Sequence, residues 1–262
     1  MNVVLVSSNA TKHLSLEMFS KYNSKLDNYK ISVIGVIIDL NKEKSNFIVH
    51  LYKLAKRQRK YNGKFILSQI INIVFYVSMT KIFGFKKKYI NKVPSKKILN
   101  IDNLNSNKFI QIIKENKIDV VCLLGTRIVS AKILDKLKNV KFINIHSSDP
   151  TKYRGQPAFF WEIFDGRRNV QLTIHEATKN LDSGRIIKSK IFPIKYSYNL
   201  FFCISFNNQM SENHVFELFF DSLIDIKRGK INYFSYVPNS KIMVIPSIYD
   251  TLRAQLNCLR LS

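Results

Sequence analysis

Short runs of consecutive apolar residues recur along the first 146 residues, and longer segments of mixed character separate them. The runs are NVVLVSS, ISVIGVII, KKILNI, DVVCLLG and FINIH, at residues 2–8, 31–38, 96–101, 119–125 and 142–146. Runs of this length with little polar alternation predict strands that are buried on both faces. Three of the segments between them predict helices, at about 12–26, 105–116 and 130–138. An order of strand, helix and strand predicts right-handed crossovers and a parallel sheet.

The predicted fold is therefore α/β, with a Rossmann-like, mostly parallel twisted sheet flanked by helices. Asn9 or Thr11 is expected to cap the first helix and Ser130 the helix at 130–138, because their side chains accept bonds from free amides. Towards the end of the chain, 211–229 reads as an amphipathic helix stopped by Gly229. INYFSYVP is a candidate strand, and a short amphipathic helix follows it.

Polar residues stand at the ends of two predicted strands between residues 142 and 187. Asn144 and His146 alternate with isoleucines, and Asp182 follows the strand VQLTIH just before Gly184. An imidazole and an amide can donate to a developing oxyanion, and a carboxylate, best with a raised pKa, can take a proton from an attacking amine. With no evident Ser or Cys nucleophile motif, this pattern indicates direct acyl transfer to an amine. Alternatively, the amide caps a loop, the histidine is structural and the aspartate holds an Asx-turn.

Taken together, the motifs N-x-H, Tyr-Arg-Gly, T-I-H and D-x-G-x-I-I resemble the folate-dependent formyltransferase family, which takes a formyl group from 10-formyltetrahydrofolate. The resemblance extends upstream to about Asp119. It implies three catalytic residues, Asn144, His146 and Asp182. It implies a pterin-holding loop at Gly125, Thr126, Arg127, Ile128 and Val129. It also implies a second folate loop at Lys179, Asn180 and Leu181.

Several neighbouring residues are expected to face the acceptor. Tyr153, Arg154 and Gly155 are predicted to form a turn towards the site, where the arginine could hold a phosphate or carboxylate. His175 lies beside the site, with a structural role as open as a catalytic one. The chain departs from the family pattern at loop positions, namely Ser147, Pro150, Gln171 and Arg185. These departures concern loop shape and substrate contacts and leave the catalytic residue types in place.

The chain carries 42 Lys and Arg against 18 Asp and Glu, a net charge of +24. The many Lys, Asn and Ile residues indicate the codon bias of an AT-rich genome as one cause. Binding of a polyanion (nucleic acid, anionic membrane or nucleotide phosphate) is the functional alternative.

Residues 44–101 form a basic block without Asp or Glu. It reads as a basic helix (50–64), an apolar helix (65–79) and a basic loop (81–97). The apolar helix contains Ser68, Gln69, Asn72 and Ser78 and falls short of the about 20 apolar residues of a membrane span. We expect a helical insertion at about 44–95 that packs on the sheet or on a second subunit. A peripheral membrane patch is the alternative.

The cysteines and the first residues of the chain bear on its cellular compartment. Cys122, Cys203 and Cys258 are far apart and match no ligand spacing, which predicts a reducing cytoplasm, no disulfide and no metal. The first residues show no charged leader and no cleavage site, so we expect no signal peptide. We divide the chain into a formyltransferase catalytic domain, 1–195, and a C-terminal extension, 196–262, expected to take part in a homodimer.

The acceptor is expected to be a nucleotide-linked amino sugar of the kind used in surface polysaccharides such as lipopolysaccharide. Methionyl-tRNA is the second candidate, and the positive net charge favours it. Enzymes of that branch carry a separate C-terminal domain, and we expect too little chain after the core to form one. Nucleic-acid binding is therefore not expected. Glycinamide ribonucleotide comes third, because SSNATKH lacks the glycines that hold its phosphate in that branch. A non-catalytic protein of this fold, or one docked to membrane, is the alternative of a different class.

Overall fold

A seven-stranded sheet forms the centre of the computed structural model, which describes residues 1–40, 47–84, 93–236 and 242–262. Its strands lie in the order β3-β2-β1-β4-β5-β7-β8. Their bounds are β1 (Asn2–Ser8), β2 (Ser32–Asp39), β3 (Ile98–Ile101), β4 (Val120–Leu124), β5 (Lys141–His146), β7 (Asn169–Glu176) and β8 (Ile186–Pro193). The first five strands in this order pair in parallel and the last two are antiparallel. The predicted α/β fold is thus confirmed.

Helices cover both faces of the sheet. They are α1 (Lys12–Asp27), α2 (Phe47–Asn62), α3 (Ile66–Phe83), α4 (Asn107–Glu115), α5 (Ala131–Lys136), α6 (Phe160–Phe164), α7 (Leu200–Arg228) and α8 (Ile248–Leu261). Alternate residues of β1 enter two separate cores, Val3 and Leu5 on one face, Val4 and Val6 on the other. Since successive strand side chains point to opposite faces, two buried faces require an unbroken apolar run.

The first helix begins where expected but is capped differently. Thr11 stands at its N-cap, yet its side chain makes no capping bond. Its hydroxyl donates instead to the carbonyls of Leu124 and Gly125, at 3.0 and 2.9 Å, and so ties α1 to the loop after β4. Ser130 likewise occupies the N-cap of α5 without a side-chain bond. Both predicted capping bonds are wrong, although both helix starts are right.

The basic block folds as a helical hairpin in its described part. Helices α2 and α3 pack on each other, and α3 contacts α7 and α8. Residues 85–92, which include most of the predicted basic loop, lie outside the described residues, as do 41–46. Within the described ranges, α3 is the one helix whose length and apolar composition would suffice to cross a membrane; its mean hydropathy is 1.5 and 22% of it is buried.

The C-terminal part departs from its predicted boundaries. Helix α7 begins at Leu200 rather than 211, because Asn199 caps it and Asn207 is buried inside it, bonded to both backbone groups of Lys195. The strand predicted at INYFSYVP is wrong for residues 231–236, where Phe234 forms a single bridge to Ile186; 237 and 238 lie outside the described residues.

Two short strands join distant parts of the chain. The strand β6 (Arg154–Gly155) pairs in parallel with β9 (Ile242–Met243). The predicted turn at Tyr153 to Gly155 is therefore the beginning of a small second sheet. The predicted closing helix forms as α8, with Ser247 and Asp250 in a capping box. The division of the chain at residue 195 stays a prediction.

Candidate active site

A cavity of about 1050 Å³ opens at the carboxyl ends of β4 and β5. Parallel strands end together there, which is where open α/β sheets bind ligands. Its wall is built from the start of α1, the loops after β4, β5 and β7, one side of α2, α7 and residues 242–245. This volume is at the upper end for a single small-molecule site, so it can hold two reactants side by side.

The strand that brings His175 to the cavity runs against β5. Asn144 pairs with His175 and His146 with Thr173 in an antiparallel register. The carboxyl end of β7 therefore lies beside the middle of β5, where Glu176 pairs with Ile143, and His175 faces the cavity. The loop 177–185 folds back to the site, held by the Arg154 guanidinium, which donates to the Leu181 carbonyl at 2.7 and 3.1 Å.

Asp182 lies where this returning loop meets the two strands. One carboxylate oxygen is 3.6 Å from His146 Nδ1, and the other is 3.6 Å from His175 Nε2. The Gly155 amide donates to Asp182 at 3.0 Å. Its backbone has a left-handed φ of 44°. Two residues on, Gly184 passes so close to β7 that an added Cβ would lie 1.8 Å from the Glu176 carbonyl oxygen. Any larger side chain would push the loop away.

The environment of Asp182 lowers its pKa to about 2. Burial raises the pKa of this carboxyl, but the positive charge that the His146 and His175 rings can carry and the bond from the Gly155 amide together outweigh burial. The raised pKa that would suit a proton acceptor is therefore not found at Asp182, because the two imidazoles lower it. At neutral pH Asp182 is an anion, suited to stabilising a cation beside it.

The two histidines have fixed tautomers because each faces a backbone carbonyl. His146 Nε2 donates to the Tyr153 carbonyl at 2.5 Å, which leaves Nδ1 facing Asp182. His175 Nδ1 donates to the Glu176 carbonyl at 2.8 Å, which leaves Nε2 as an acceptor. A proton gained by His146 would therefore sit on Nδ1, next to the Asp182 carboxylate.

Asn144 is oriented by the second of these rings. Its Nδ2 lies 3.3 Å from His175 Nε2, so one amide hydrogen is donated to the ring. A primary amide has two such hydrogens, and Asn144 also lines the cavity. The second hydrogen can reach a ligand. His175 thus acts on the predicted site by positioning the amide.

The predicted folate loops line the cavity in large part. All of the first loop does so, namely Gly125, Thr126, Arg127, Ile128 and Val129. From the second loop, Asn180 and Leu181 line it, whereas Lys179 does not. Gly125 has a φ of +68°, and an added Cβ would lie 2.8 Å from the Thr11 methyl group. The side chain of Arg127 bonds Asp39 at 2.7 Å, which leaves the loop to meet a ligand largely through its backbone.

The predicted acceptor residues are divided. Gly155 and His175 line the cavity, but Tyr153 and Arg154 are not among the lining residues. The Tyr153 hydroxyl donates to Asp165 at 2.7 Å; burial, and then this bond, raise the pKa of Tyr153 to about 12. The Arg154 guanidinium is bonded to Leu181, so it supports the loop that carries Asp182.

Sequence reasoning missed one wall of the cavity. Leu54, Arg57 and Gln58 of α2 line it, as do residues of α7 and 242–245. Gln58 Oε1 accepts from the Ile245 amide at 3.0 Å and joins two of these segments. The charged α2 helix was visible in the sequence, but no motif links it to residues nearly two hundred positions away. Among the described residues, no group of three His, Cys, Asp or Glu could hold a metal ion.

Comparison with known proteins identifies the family. The formyl transferase family profile matches residues 40–200. The chain is 31% identical over 125 residues to the bifunctional polymyxin resistance protein ArnA of Wigglesworthia glossinidia brevipalpis, a match that covers 47% of this chain and 18% of that protein. This chain thus spans less than a fifth of that relative's length.

Solved structures share the fold across nearly the whole chain. A sugar N-formyltransferase from Shewanella sp FDAARGOS_354 has a TM-score of 0.58 at 18% identity, covering 99% of this chain and 88% of that one. The N-formyltransferase from Helicobacter canadensis, in complex with folinic acid and dTDP-3-aminofucose, has a TM-score of 0.55 at 15% identity over 98% and 80%. The resemblance seen in the motifs is confirmed: the chain belongs to the formyl transferase family.

Proposed function

We propose that this protein transfers a formyl group from 10-formyltetrahydrofolate to the amino group of a nucleotide-linked amino sugar. The observation that carries the proposal is the position of Asp182 between two imidazoles at the edge of a cavity that Asn144 also lines. A buried anion, a ring that can hold a proton beside it and an amide with a free hydrogen meet the needs of acyl transfer between nitrogens.

In the proposed reaction the neutral acceptor amine attacks the formyl carbon. The carbonyl oxygen becomes an oxyanion that accepts from the second hydrogen of Asn144. The amine proton passes to Nδ1 of His146, where the Asp182 carboxylate stabilises the imidazolium. The C–N bond to the folate breaks, and the proton goes to the departing N10, giving the formamide and tetrahydrofolate. Holding the two reactants together supplies a further part of the rate.

This mechanism revises the expected division of labour. The sequence assigned the oxyanion to His146 and Asn144 together and the proton to Asp182. The Nε2 hydrogen of His146 is bound to the Tyr153 carbonyl, and Asp182 is too weak a base at a pKa of about 2. We therefore assign the oxyanion to Asn144 and the proton to the His146–Asp182 pair.

A nucleotide-sugar acceptor is supported by the wall of the cavity. The exposed Arg57 of α2 can bind a diphosphate, and the chain folds like the Helicobacter canadensis enzyme, whose complex contains dTDP-3-aminofucose. Methionyl-tRNA is the second candidate, favoured by the net charge of +24. Three buried thiols suit a reducing cytoplasm. A homodimer stays a prediction.

Tetrahydrofolate release from 10-formyltetrahydrofolate tests the proposal. Purified protein is offered a panel of nucleotide-linked amino sugars, glycinamide ribonucleotide and charged initiator tRNA. We expect turnover with an amino sugar, and turnover with tRNA alone would overturn the acceptor. His146→Ala and Asn144→Ala are each expected to lose on the order of 100-fold in kcat. His214→Ala, a histidine on α7 away from the cavity, is the matched control.

A further inference from the structure

Helix α3 is apolar on both sides: Ile73 is buried and Tyr76 packs against the core, while further apolar residues are exposed on the outer side. Its exposed apolar residues share one face at helical spacing: Leu67, Ile71, Val74 and Ile82. On the inner side Gln69 donates to Asn62 Oδ1 at 2.7 Å, and Asn72 Oδ1 accepts from the Ile248 amide at 3.3 Å. Surface helices of globular proteins usually carry polar residues on their outer face.

Helix α8 also exposes an apolar outer face, while Ala254 and Cys258 are buried on its inner side. Its exposed apolar residues follow a spacing of three, four and three: Tyr249, Leu252, Leu256 and Leu259, each between 52% and 74% exposed. Its amides face inward, where Gln255 accepts from the Leu200 amide at 2.9 Å and Asn257 donates to the Ile163 and Phe164 carbonyls. These eight residues of α3 and α8 are called the outer apolar face. The two helices are in contact, so its halves belong to neighbouring elements.

Positive charge accompanies the outer apolar face. Helix α2 packs against α3 and, besides Arg57, which lines the cavity, exposes a row of basic residues: Lys53, Lys56 and Arg59. No Asp or Glu occurs in the sequence from 44 to 101. An apolar face next to a row of cations matches a surface of anionic lipid headgroups over acyl chains.

We propose that the outer apolar face docks the protein on an anionic membrane surface. Both helices lie on the surface and do not span the bilayer, because the inward amides of α3 and α8 are bonded to the body of the protein. Leucines enter the boundary between headgroups and chains, and the lysines of α2 meet lipid phosphates. Since α2 also lines the cavity, docking holds the cavity near the headgroups.

Charge argues for lipid over a second copy of the chain. In a two-fold symmetric dimer the same patch faces itself. Both copies would then bring the basic row of α2 to the interface, with no carboxylate between 44 and 101 to pair with it. Like charges opposed in this way cost binding energy, whereas anionic lipids supply the missing partner.

Sedimentation with vesicles tests the proposal on the full chain, independently of turnover. Sucrose-loaded vesicles of phosphatidylcholine are compared with vesicles that also contain phosphatidylglycerol. We expect binding to the anionic vesicles, weakening as salt is added, and little binding to phosphatidylcholine alone. Equal binding to both, or to neither, would overturn the proposal.

Matched variants locate the surface. Leu252→Gln with Leu256→Gln, and separately Leu67→Gln with Ile71→Gln, should each weaken binding at least tenfold. Ile191→Gln, an apolar residue 65% exposed on β8, is the apolar control and should change nothing. Lys53→Gln with Lys56→Gln should weaken binding about 25-fold, at about fivefold per lysine. Lys108→Gln with Lys132→Gln removes the same charge from α4 and α5 and should have a smaller effect.

Two further measurements make each failure interpretable. Circular dichroism establishes that the variants fold, and formyl transfer in solution should be unchanged in the leucine variants. Sedimentation velocity without lipid reports self-association. If the wild type is a dimer that does not bind vesicles and the leucine variants are monomers, the outer apolar face is a subunit interface and the proposal is wrong. Vesicle binding by a protein without turnover would instead refute the proposed function alone.

Discussion

Two buried carboxylates near the end of β5 have pKa values that are shifted in opposite directions. Asp182 and Glu162 are 8% and 3% exposed, and each belongs to a segment that contacts this strand end. Asp182 meets two imidazoles and a backbone amide, and its pKa falls to about 2. Glu162 accepts a short bond from Ser148, but burial outweighs that bond and raises its pKa to about 7. The charge of a buried carboxyl therefore depends more on its hydrogen-bonding and charged neighbours than on how deeply it is buried.

The two carboxylates also differ in their position relative to the cavity. Asp182 lines the cavity, and Glu162 is not among the lining residues. Glu162 holds Ser148, two residues after His146, and the Ser148 carbonyl accepts from Thr173 at 3.1 Å. We infer that Glu162 is a positioning residue for the loop after β5, whereas Asp182 acts on the proton itself.

The largest expected effect on turnover comes from neutralising Asp182. Asp182→Asn keeps the shape but removes the anion that stabilises the His146 imidazolium. We expect kcat to fall on the order of 1000-fold, measured by tetrahydrofolate release. Asp221→Asn, on an exposed aspartate of α7, is the control. Activity within tenfold of wild type in Asp182→Asn would break the assigned roles.

The raised pKa of Glu162 predicts a stability that declines with pH. The folded state holds its proton up to about pH 7, so the stability present below the ordinary pKa of 4.5 is lost as the pH rises through about 7. The loss amounts to about 3 kcal/mol. Glu162→Gln should remove it. Urea unfolding at pH 5 and pH 8 measures the difference, and an equal slope in wild type and variant would contradict this assignment.

Asp182 predicts the opposite slope at acidic pH. Its pKa lies below the ordinary 3.8, so its contribution is present above pH 3.8 and is lost as the pH falls through about 2. The contribution is about 2 kcal/mol. Unfolding of wild type and Asp182→Asn between pH 4 and pH 2 should therefore converge towards the acid end. Parallel curves would mean that the imidazoles do not hold this carboxylate.

The smallest expected effect comes from removing the hydroxyl of Ser148. Ser148→Ala removes the donor to Glu162 and should cost about 1 kcal/mol in urea unfolding, with less than a tenfold loss of kcat. Ser222→Ala is a matched control, because Ser222 is equally buried and its hydroxyl has no hydrogen-bond partner among the described residues. A larger loss in the control than in Ser148→Ala would show that the bond contributes nothing.

Local patterns were enough to predict the sheet and the identity of the central residues. The run from Val120 to Leu124 and the alternation up to His146 depend on neighbours in sequence, and both strands formed as predicted. The position and the pKa of Asp182 depend on how loop 177–185 returns to the sheet. That return is fixed by Arg154 and Tyr236, whose bonds to the loop no sequence period reveals.

The cavity wall from α2 was beyond prediction for a similar reason. Arg57 and Gln58 belong to a helix that reads as a charged surface, and only its contact with Ile245 turns one side towards the cavity. The burial of polar residues on α3 is also hard to predict from hydropathy alone. The buried Gln69 and Asn72 look like solvent-facing positions until their partners are known.

The pairing of β6 with β9 has a consequence for the order of events during synthesis. Gly155 donates to Asp182 and pairs with Met243, so the backbone beside the aspartate is held by residues far downstream. A nascent chain would carry Asn144, His146 and Asp182 well before residue 243 leaves the ribosome. Until then β6 lacks its partner strand. The growing chain should therefore acquire its sheet early and its catalytic competence late.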